Sequence, residues 1–577
     1  MQKRIIMPAP VDQESFRNLK SQLNIRDVFV QLLIQRGISN FDEARLFFRP
    51  SSGQLHDPFL MKDMQKAVER IETALNQNEK ILIYGDYDVD GTTSVAAMYL
   101  FLKEKLGHQN LEFYIPDRYT EGYGVSFAGI EYAREKGFTL IIALDCGVKS
   151  VDKIALAKSY GIDFIVCDHH LPGDELPDTV AMLNPKQPGC HYPFKELAGC
   201  GIGFKLMQAL VMHKNLNPEL AYEFLDLAAI SACADIVPLT GENRVITALG
   251  LENMANNFRP GIAALLDKAA FRHKSLSVED VVFVIAPRIN AAGRLEHGKA
   301  AVKLLIADEE KAAGFKAELL NTNNQDRREL DKLITTEALS LIERDTEFAL
   351  RKSTVVFQPH WHKGVVGIVA SRLIENHYRP TVVLTESNGK ATGSARSVKG
   401  FDLYAALEKC IDLFDNFGGH MHAAGLTMPL EKVDEFVRRF EKAVAEAILP
   451  EQEIPFVDID AELPIAEVND GFYALLKQFA PFGPGNMNPV FLSEPVQVYN
   501  RQVRVVGDNH LQFSVWNPNT KSTVFKAIAF KQGQHADALL SAKSFRLCYS
   551  VNENVFAPSE DRIFRSLDLD IKEIVFD

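Results

Sequence analysis

Lys80-Ile81-Leu82-Ile83-Tyr84-Gly85-Asp86-Tyr87-Asp88-Val89-Asp90-Gly91 is the stretch that decides the reading of this chain. A short apolar run closed by glycine is the pattern of a strand buried on both faces, and here it ends directly in alternating aspartates. The juxtaposition recurs downstream: Asp145 closes TLIIAL, Asp168-His169-His170 follows FIVC, and Asp235 follows the apolar LAAISACA. Carboxylates beside buried apolar segments are costly unless their charge is compensated, and divalent metal ions would compensate it. In an open parallel sheet, ligands collect outside the carboxyl ends of the strands, where Asp86 to Asp90, Asp145 and Asp168 to His170 all fall. Carboxylates with imidazole favour manganese or magnesium over a thiolate-selected metal. No Cys-x-x-Cys occurs, which argues against a zinc ribbon. Any one of these acids could equally be a helix cap or turn residue, but that reading is weak for all of them at once.

Outward from this stretch, strand-like ILIYG, LEFYIP, LIIALD, FIVC and VAML alternate with helical TTSVAAMYLFLKEKL, VSFAGIEYAREKG and SVDKIALAKSYG. That alternation predicts a doubly wound parallel sheet. Before it, residues 1–75 read as a helical cap. After it, a long amphipathic stretch with apolar residues at intervals of three and four predicts a connecting helix over 301–350. A second α/β domain is expected over 351–452 and a small barrel of short strands over 453–577, leaving 76–300 as the catalytic α/β domain. The run Gly199-Cys200-Gly201-Ile202-Gly203-Phe204-Lys205 lacks the ending and preceding strand of a phosphate loop and reads as a helix start.

With 577 residues the chain exceeds a single core, and its 46% hydrophobic and 24% charged content is that of a globular protein. No stretch reaches the length of a membrane span, so no membrane partner is expected and cytoplasmic residence is the default. Seven scattered cysteines, odd in number and in apolar context, predict buried free thiols in a reducing compartment. A net charge of −13 leaves the substrate undecided, because the acidic site itself contributes to the sum.

GDYDVDG, LDCG, DHH and ADIVPL, in this order, resemble the motifs of the DHH phosphoesterase superfamily. PRINAAGRLEHG and GGHMHAAGL narrow the resemblance to the RecJ-type single-strand-specific exonucleases, over essentially the whole chain. The resemblance implies a DHH domain joined by a long helix to a DHHA1 domain, followed by an OB-fold. It implies a 5′→3′ exonuclease that degrades single-stranded DNA in repair and recombination, using two divalent ions, Mn2+ or Mg2+, to activate water. A helicase and a single-strand-binding protein are the partners it suggests. Two rivals remain open: a phosphodiesterase for short oligoribonucleotides or cyclic dinucleotides, and a non-catalytic replication scaffold.

Carried over residue by residue, Asp88, Asp90, Asp145, His169 and Asp235 match the family's metal ligands, with Asp145 as the bridge. Asp86 matches a position at the first ion or just behind it. Asp168 is expected to orient a neighbouring imidazole, and His170 to contact the scissile phosphate. Arg288, Asn290, Ser394 and Arg396 match positions facing the DNA and its 5′-phosphate, and Arg118 is a further candidate. Gly418, Gly419 and His420 belong to the DHHA1-like signature, where glycine lets a phosphate approach. In the terminal barrel, the OB-fold resemblance makes Phe513, Trp516, Phe525 and Phe530 candidate stacking surfaces, with Arg501, Arg504 and Lys526 nearby, although alternating aromatics in a strand are more often core.

Overall fold

The computed structural model describes residues 3–271, 275–295, 297–520, 523–559 and 562–576. Contacts divide the chain into two units, one of Leu46–Arg328 with Pro481–Met487, the other of Met1–Arg45, Glu329–Ala480 and Asn488–Asp577.

The first unit is built on the expected sheet. Strands β1 (Ile81–Gly85), β2 (Leu111–Tyr114), β3 (Leu140–Leu144), β4 (Asp163–Cys167) and β5 (Ala181–Leu183) lie in the order β2-β1-β3-β4-β5. All four pairings are parallel. Every residue of β1 and β3 is buried, because helices cover both faces, and this is why those runs are continuously apolar rather than alternating. Two apolar clusters flank the sheet, one including Ile83 and Ile142, the other Leu82 and Ile141. Helix α1 (Val89–Leu100) follows β1, and α2 (Gly199–His213) and α3 (Leu225–Ala234) pack on α1 within the larger cluster. Further on come α4 (Ala286–Leu295), α5 (Lys299–Leu305) and the long α6 (Glu310–Arg344). The expected connecting helix is therefore resolved into two helices, α5 and α6, and the division between the units falls inside α6.

In the second unit, β6 (Thr354–Phe357), β7 (Thr381–Ser387), β8 (Lys390–Arg396), β9 (Asn416–His420) and β10 (Ala423–Pro429) form a sheet of order β9-β10-β8-β7-β6. Only β6 and β7 pair in parallel. The glycine-histidine run FGGHMHAAGL is its edge hairpin. The C-terminal strands are β11 (Gln497–Val506), β12 (His510–Trp516), β13 (Phe525–Ala529), β14 (Phe545–Ser559) and β15 (Arg562–Phe576), in the order β14-β15-β13-β12-β11. A bridge between Val496 and Phe545 joins the start of β11 to the start of β14, closing these five strands into a barrel of the expected OB type, and two short strands, Phe491–Leu492 and Ala461–Glu462, extend the same sheet beyond β14 to seven.

Residues 1–75, read as one cap, do form helices, but they are shared between the units at Arg45 and Leu46. All seven cysteines are free and buried, as expected. Among the described residues, no helix is long and apolar enough to cross a membrane.

Candidate metal centre and nucleic-acid contacts

The carboxyl ends of β1, β3 and β4 deliver the acids to one place. Asp86 follows β1 and is fully buried, and Asp88 is the N-cap of α1, accepting from Gly91 N at 3.0 Å. Gly91 is required for this turn, since a Cβ there would sit 2.4 Å from the Asp86 carbonyl oxygen. Asp145, one residue past β3, adopts a left-handed backbone with φ of 58°, a conformation Asp tolerates better than most residues. Asp168 and His169 follow β4, and Asp235 caps the carboxyl end of α3. The next residue, Ile236, has φ of 60°. A β-branched residue there is a strained exception, of the kind that clusters at functional sites.

His169 lies at the centre. Its Nε2 is 3.2 Å from Asp145 Oδ1, 3.5 Å from Asp235 Oδ2 and 3.8 Å from Asp90 Oδ2. Two groups have ligand atoms that all fall within 4.8 Å of one another: Asp145 with His169 and His170, and Asp90 with His169 and Asp235. Asp86 Oδ2, Asp145 Oδ1 and His169 Nε2 are buried with no hydrogen-bond partner. Orphaned buried acceptors of this kind are rare in a folded protein. Oxygen and imidazole donors, unsatisfied by protein and converging, fit a hard divalent cation.

Electrostatics agree. Burial first, and then the charges of Asp90 and Asp88, push the Asp145 carboxyl well above its usual range. Burial and Asp88 do the same to Asp86, and burial and Asp90 raise Asp88. Asp235 is pushed up to about 8 by burial and then by Asp90. Burial holds the His169 imidazole neutral to lower pH than usual, leaving a lone pair to donate.

Asp90 has a second task. Its Oδ2 accepts from Gly199 N at 2.7 Å, and its Oδ1 accepts from Cys200 N at 2.8 Å and from Ser231 Oγ at 2.7 Å. The N-cap residue of α2, Ala198, has no side-chain acceptor, so Asp90 caps that helix from across the fold. The glycine-rich run is indeed a helix start, and Gly199 has a steric reason: a Cβ there would lie 2.7 Å from Asp145 Cβ. Sequence reasoning missed Ser231 and this capping link, which no local pattern signals.

Asp168 orients His170. Its Oδ1 accepts from His170 Nδ1 at 2.7 Å and from His170 N at 3.1 Å, while Oδ2 accepts from Val148 N at 2.9 Å. Burial alone would raise Asp168, but the hydrogen bond and charge of His170 and the Val148 N–H hold it below the usual range. Burial likewise opposes charge on His170, and Asp168 outweighs it, so His170 is raised. The other ring nitrogen, Nε2, lies 3.0 Å from Tyr123 Oη. Tyr123 was not a sequence candidate; its position in the loop before Ser126 carries no motif by itself.

Of the expected DNA contacts in this unit, Arg118 stacks over the Tyr87 ring at 4.9 Å, beside the acids. Arg288 donates to Asn321 Oδ1 and to the Val284 carbonyl. Asn290 accepts from Val89 N at 3.2 Å, so its carbonyl supports the first turn of α1. In the second unit, Arg396 Nη1 donates to Ser394 Oγ at 2.7 Å. Gly367 abuts both, its absent Cβ 3.0 Å from Arg396 Nη2 and from Ser394 Oγ. Gly418, Gly419 and His420 lie on the edge strand β9, with His420 exposed. In the barrel, Phe513 and Phe525 are 2% and 4% exposed and belong to the core, which corrects the expectation that they stack on bases. Period-two alternation does not say which face points inward. Phe530 is exposed, and Trp516 is partly exposed with its ring against Tyr499.

Comparison with known proteins agrees with this architecture. Family models match residues 80–232 as the DHH family N-terminal domain, 351–446 as the DHHA1 domain and 459–562 as the RecJ OB domain. The fold and the acidic centre thus define a multidomain DHH-family protein. The single-stranded-DNA-specific exonuclease RecJ of Bacillus subtilis (strain 168) is 38% identical over 548 residues, covering 94% of this chain and 68% of that protein. The Escherichia coli (strain K12) protein of the same name is 36% identical over 517 residues, covering 86% and 88%. The crystal structure of RecJ in complex with Mn2+ from Thermus thermophilus matches with a TM-score of 0.83 at 26% identity, covering 100% of this chain and 80% of that one. The corresponding Mg2+ complex matches with a TM-score of 0.77. The chain belongs to the RecJ family.

Proposed function

We propose that this chain is a metal-dependent 5′→3′ exonuclease that hydrolyses single-stranded DNA to nucleotides, acting in DNA repair and recombination. The observation that carries the reading is the pair of orphaned atoms, Asp145 Oδ1 and His169 Nε2, held between Asp90 and Asp235 at the carboxyl end of a parallel sheet. Relatives named as single-stranded-DNA-specific exonucleases support the substrate. Asp88, Asp90, Asp145, His169 and Asp235 would hold two ions, Mn2+ or Mg2+, with Asp86 as a further candidate; the family resemblance makes Asp145 the ligand common to both, while the two groups of converging ligand atoms here have His169 in common. When bound, such ions supply a water deprotonated near neutral pH and neutralise phosphate oxygens.

The chain's own residues do the rest. Asp168 fixes the His170 ring with Nδ1 toward itself, leaving Nε2, which Tyr123 Oη meets at 3.0 Å, as the atom that would exchange that hydroxyl for the scissile phosphate. Asp168 raises the His170 pKa and so favours the cationic ring, the form suited to a phosphate oxygen. Arg118, Arg288 and Asn290 position the strand in the catalytic unit. Ser394 and Arg396 take the 5′-phosphate through a guanidinium fork, and Gly418, Gly419 and His420 let the backbone approach an open strand edge. Cytoplasmic residence, and work beside a helicase or a single-strand-binding protein, follow from the family reading.

Time-resolved digestion of 5′-labelled and 3′-labelled single strands, duplexes, RNA and dinucleotides with Mn2+ tests the proposal. Immediate release of a 5′-labelled mononucleotide from single-stranded DNA is expected, whereas cleavage of dinucleotides alone would favour the oligonucleotide phosphodiesterase. Asp145→Ala should abolish hydrolysis with single-strand binding still measurable; substantial turnover at saturating Mn2+ would refute the shared-ligand role. Arg396→Ala should lose the preference for a 5′-phosphate over a 5′-hydroxyl, and a variant with the full wild-type preference would exclude that contact.

A further inference from the structure

A cavity of about 510 Å3 in the catalytic unit is walled by Lys299, Lys303, Lys316 and His297 over an apolar floor that includes Leu319 and Leu320, and no carboxylate lines it. Among the described residues, none of these lysines forms an ion pair. Glu318, on the same helix as Lys316, is committed to Lys268 at 2.6 Å. The carboxylates that face His297 from the neighbouring loop are also occupied. Asp117 accepts from the amides of Tyr119 and Thr120, and Glu121 accepts from Tyr114 Oη and Ser126 Oγ. Three lysines gathered without ion-pair partners repel one another, and a bound anion would relieve that repulsion.

The position of the cavity names the anion. Gly298 packs so closely on the acidic site that a Cβ there would be 3.1 Å from Tyr87 Cβ, and Tyr87 stands between Asp86 and Asp88. Lys299 Nζ lies 5.0 Å from the ring centroid of Tyr114, the last residue of β2. The cavity is therefore at the carboxyl end of the sheet, on the side of the metal centre, with Arg118 over Tyr87 continuing the cationic surface between them. A larger cavity of about 880 Å3 in the same unit is lined by Glu219, Glu223, Asp226, Asp267 and Glu310 against Arg259 and Lys268, a net acidic wall that disfavours a polyanion. The two cavities thus differ in sign, and only the lysine cavity adjoins the site.

We propose that Lys299, Lys303 and Lys316 form a backbone subsite that holds a phosphate of the single strand at a nucleotide other than the one being cleaved. This rests on the reading of the chain as a single-strand exonuclease. Ammonium groups on flexible stems hold phosphates without reading bases, and the leucine floor accepts a sugar or base face.

Fluorescence anisotropy with a labelled oligothymidylate, in chelator so that no cleavage is needed, tests this across a salt series. Each phosphate contact contributes roughly 0.7 to the salt exponent for single strands, so Lys299→Gln/Lys303→Gln/Lys316→Gln should lower the exponent by about 2. Replacing the same lysines by arginine should restore it. If the triple variant fails to fold, Lys303→Gln alone, at an exposed position, should lower the exponent by about 0.7. An unchanged exponent in a folded variant overturns the subsite. So does loss of affinity for an acidic peptide with single-strand binding intact, which would assign the cavity to a protein partner. Wild-type protein that binds the strand but never degrades it overturns the activity instead, and leaves the salt comparison in force.

Discussion

At the scale of single residues, the most exacting position is Asp168. It is 1% exposed and spends both carboxylate oxygens, one on the His170 ring and amide, the other on Val148 N. Asn in its place keeps the volume but offers a single acceptor oxygen. Either the Val148 amide or the His170 ring then loses its partner, and the imidazole loses the charge that holds it cationic. Loss of a positioned donor at developing negative charge typically costs about 10²-fold or more. Asp168→Asn should therefore lower kcat by about 10²-fold while KM for a long single strand changes little, because the strand's other contacts are untouched. The conservative Asp168→Glu should recover part of the loss, and steady-state kinetics on a 5′-phosphorylated oligonucleotide decide it. A variant whose KM rises while kcat holds would show that Asp168 serves binding rather than the orientation of His170.

At the scale of elements, α2 is a helix whose start is buried and whose own N-cap, Ala198, cannot serve it. Unsatisfied N–H groups at a buried helix end are expensive, and the capping carboxylate of Asp90 removes that cost for Gly199 and Cys200. Asp90→Ala should destabilise the metal-free protein by about 2 kcal/mol, seen as a lower urea midpoint in chelator. Asp145→Asn under the same conditions should not destabilise it, since it keeps a side chain that tolerates the left-handed backbone and removes the charge of a buried carboxyl with an unpartnered oxygen. Equal behaviour of the two variants would mean that Asp90 is only a ligand. The contrast also marks what the sequence could tell. The parallel strands were legible because burial on both faces leaves continuous apolar runs, and Asp145 and His169 because they stand where such runs end. Asp90's role as a cap was not, because its partners lie 109 and 110 positions away and capping patterns are read only from neighbours. Asn290 was legible as a motif residue, yet its engagement with Val89 N belongs to tertiary packing. Which barrel aromatics face outward was not legible for a different reason: alternation fixes two faces of a strand and leaves open which one the barrel closes over.

At the scale of the whole molecule, the acidic centre should govern how stability depends on pH. Without metal, the carboxyls of Asp86, Asp88 and Asp145 stay protonated above their usual 3.8, and that of Asp235 to about 8. In the unfolded chain the same groups have lost their protons by then. The folded state thus binds more protons than the unfolded one between these limits, and the free energy of unfolding falls as pH rises. Histidines whose pKa values are depressed, His169 among them, act the other way, but their contribution is complete once pH passes the usual 6.5. His170, raised by Asp168, adds to the fall. From 6.5 to about 8 the site therefore contributes a fall that its depressed histidine no longer offsets. Mn2+ requires its ligands deprotonated and replaces those protons, so its stabilisation should widen as pH rises, by about 1.4 kcal/mol per pH unit for each proton displaced. Thermal melts in chelator and in Mn2+, taken across this interval, should show the metal-free midpoint falling while the loaded midpoint holds. In Asp145→Ala, which lacks one of the proton-holding carboxyls, the metal-free slope should flatten. A constant gap between the two midpoints would mean that the carboxyls are already ionised without metal, and that the centre is held together by its hydrogen bonds rather than poised for a cation.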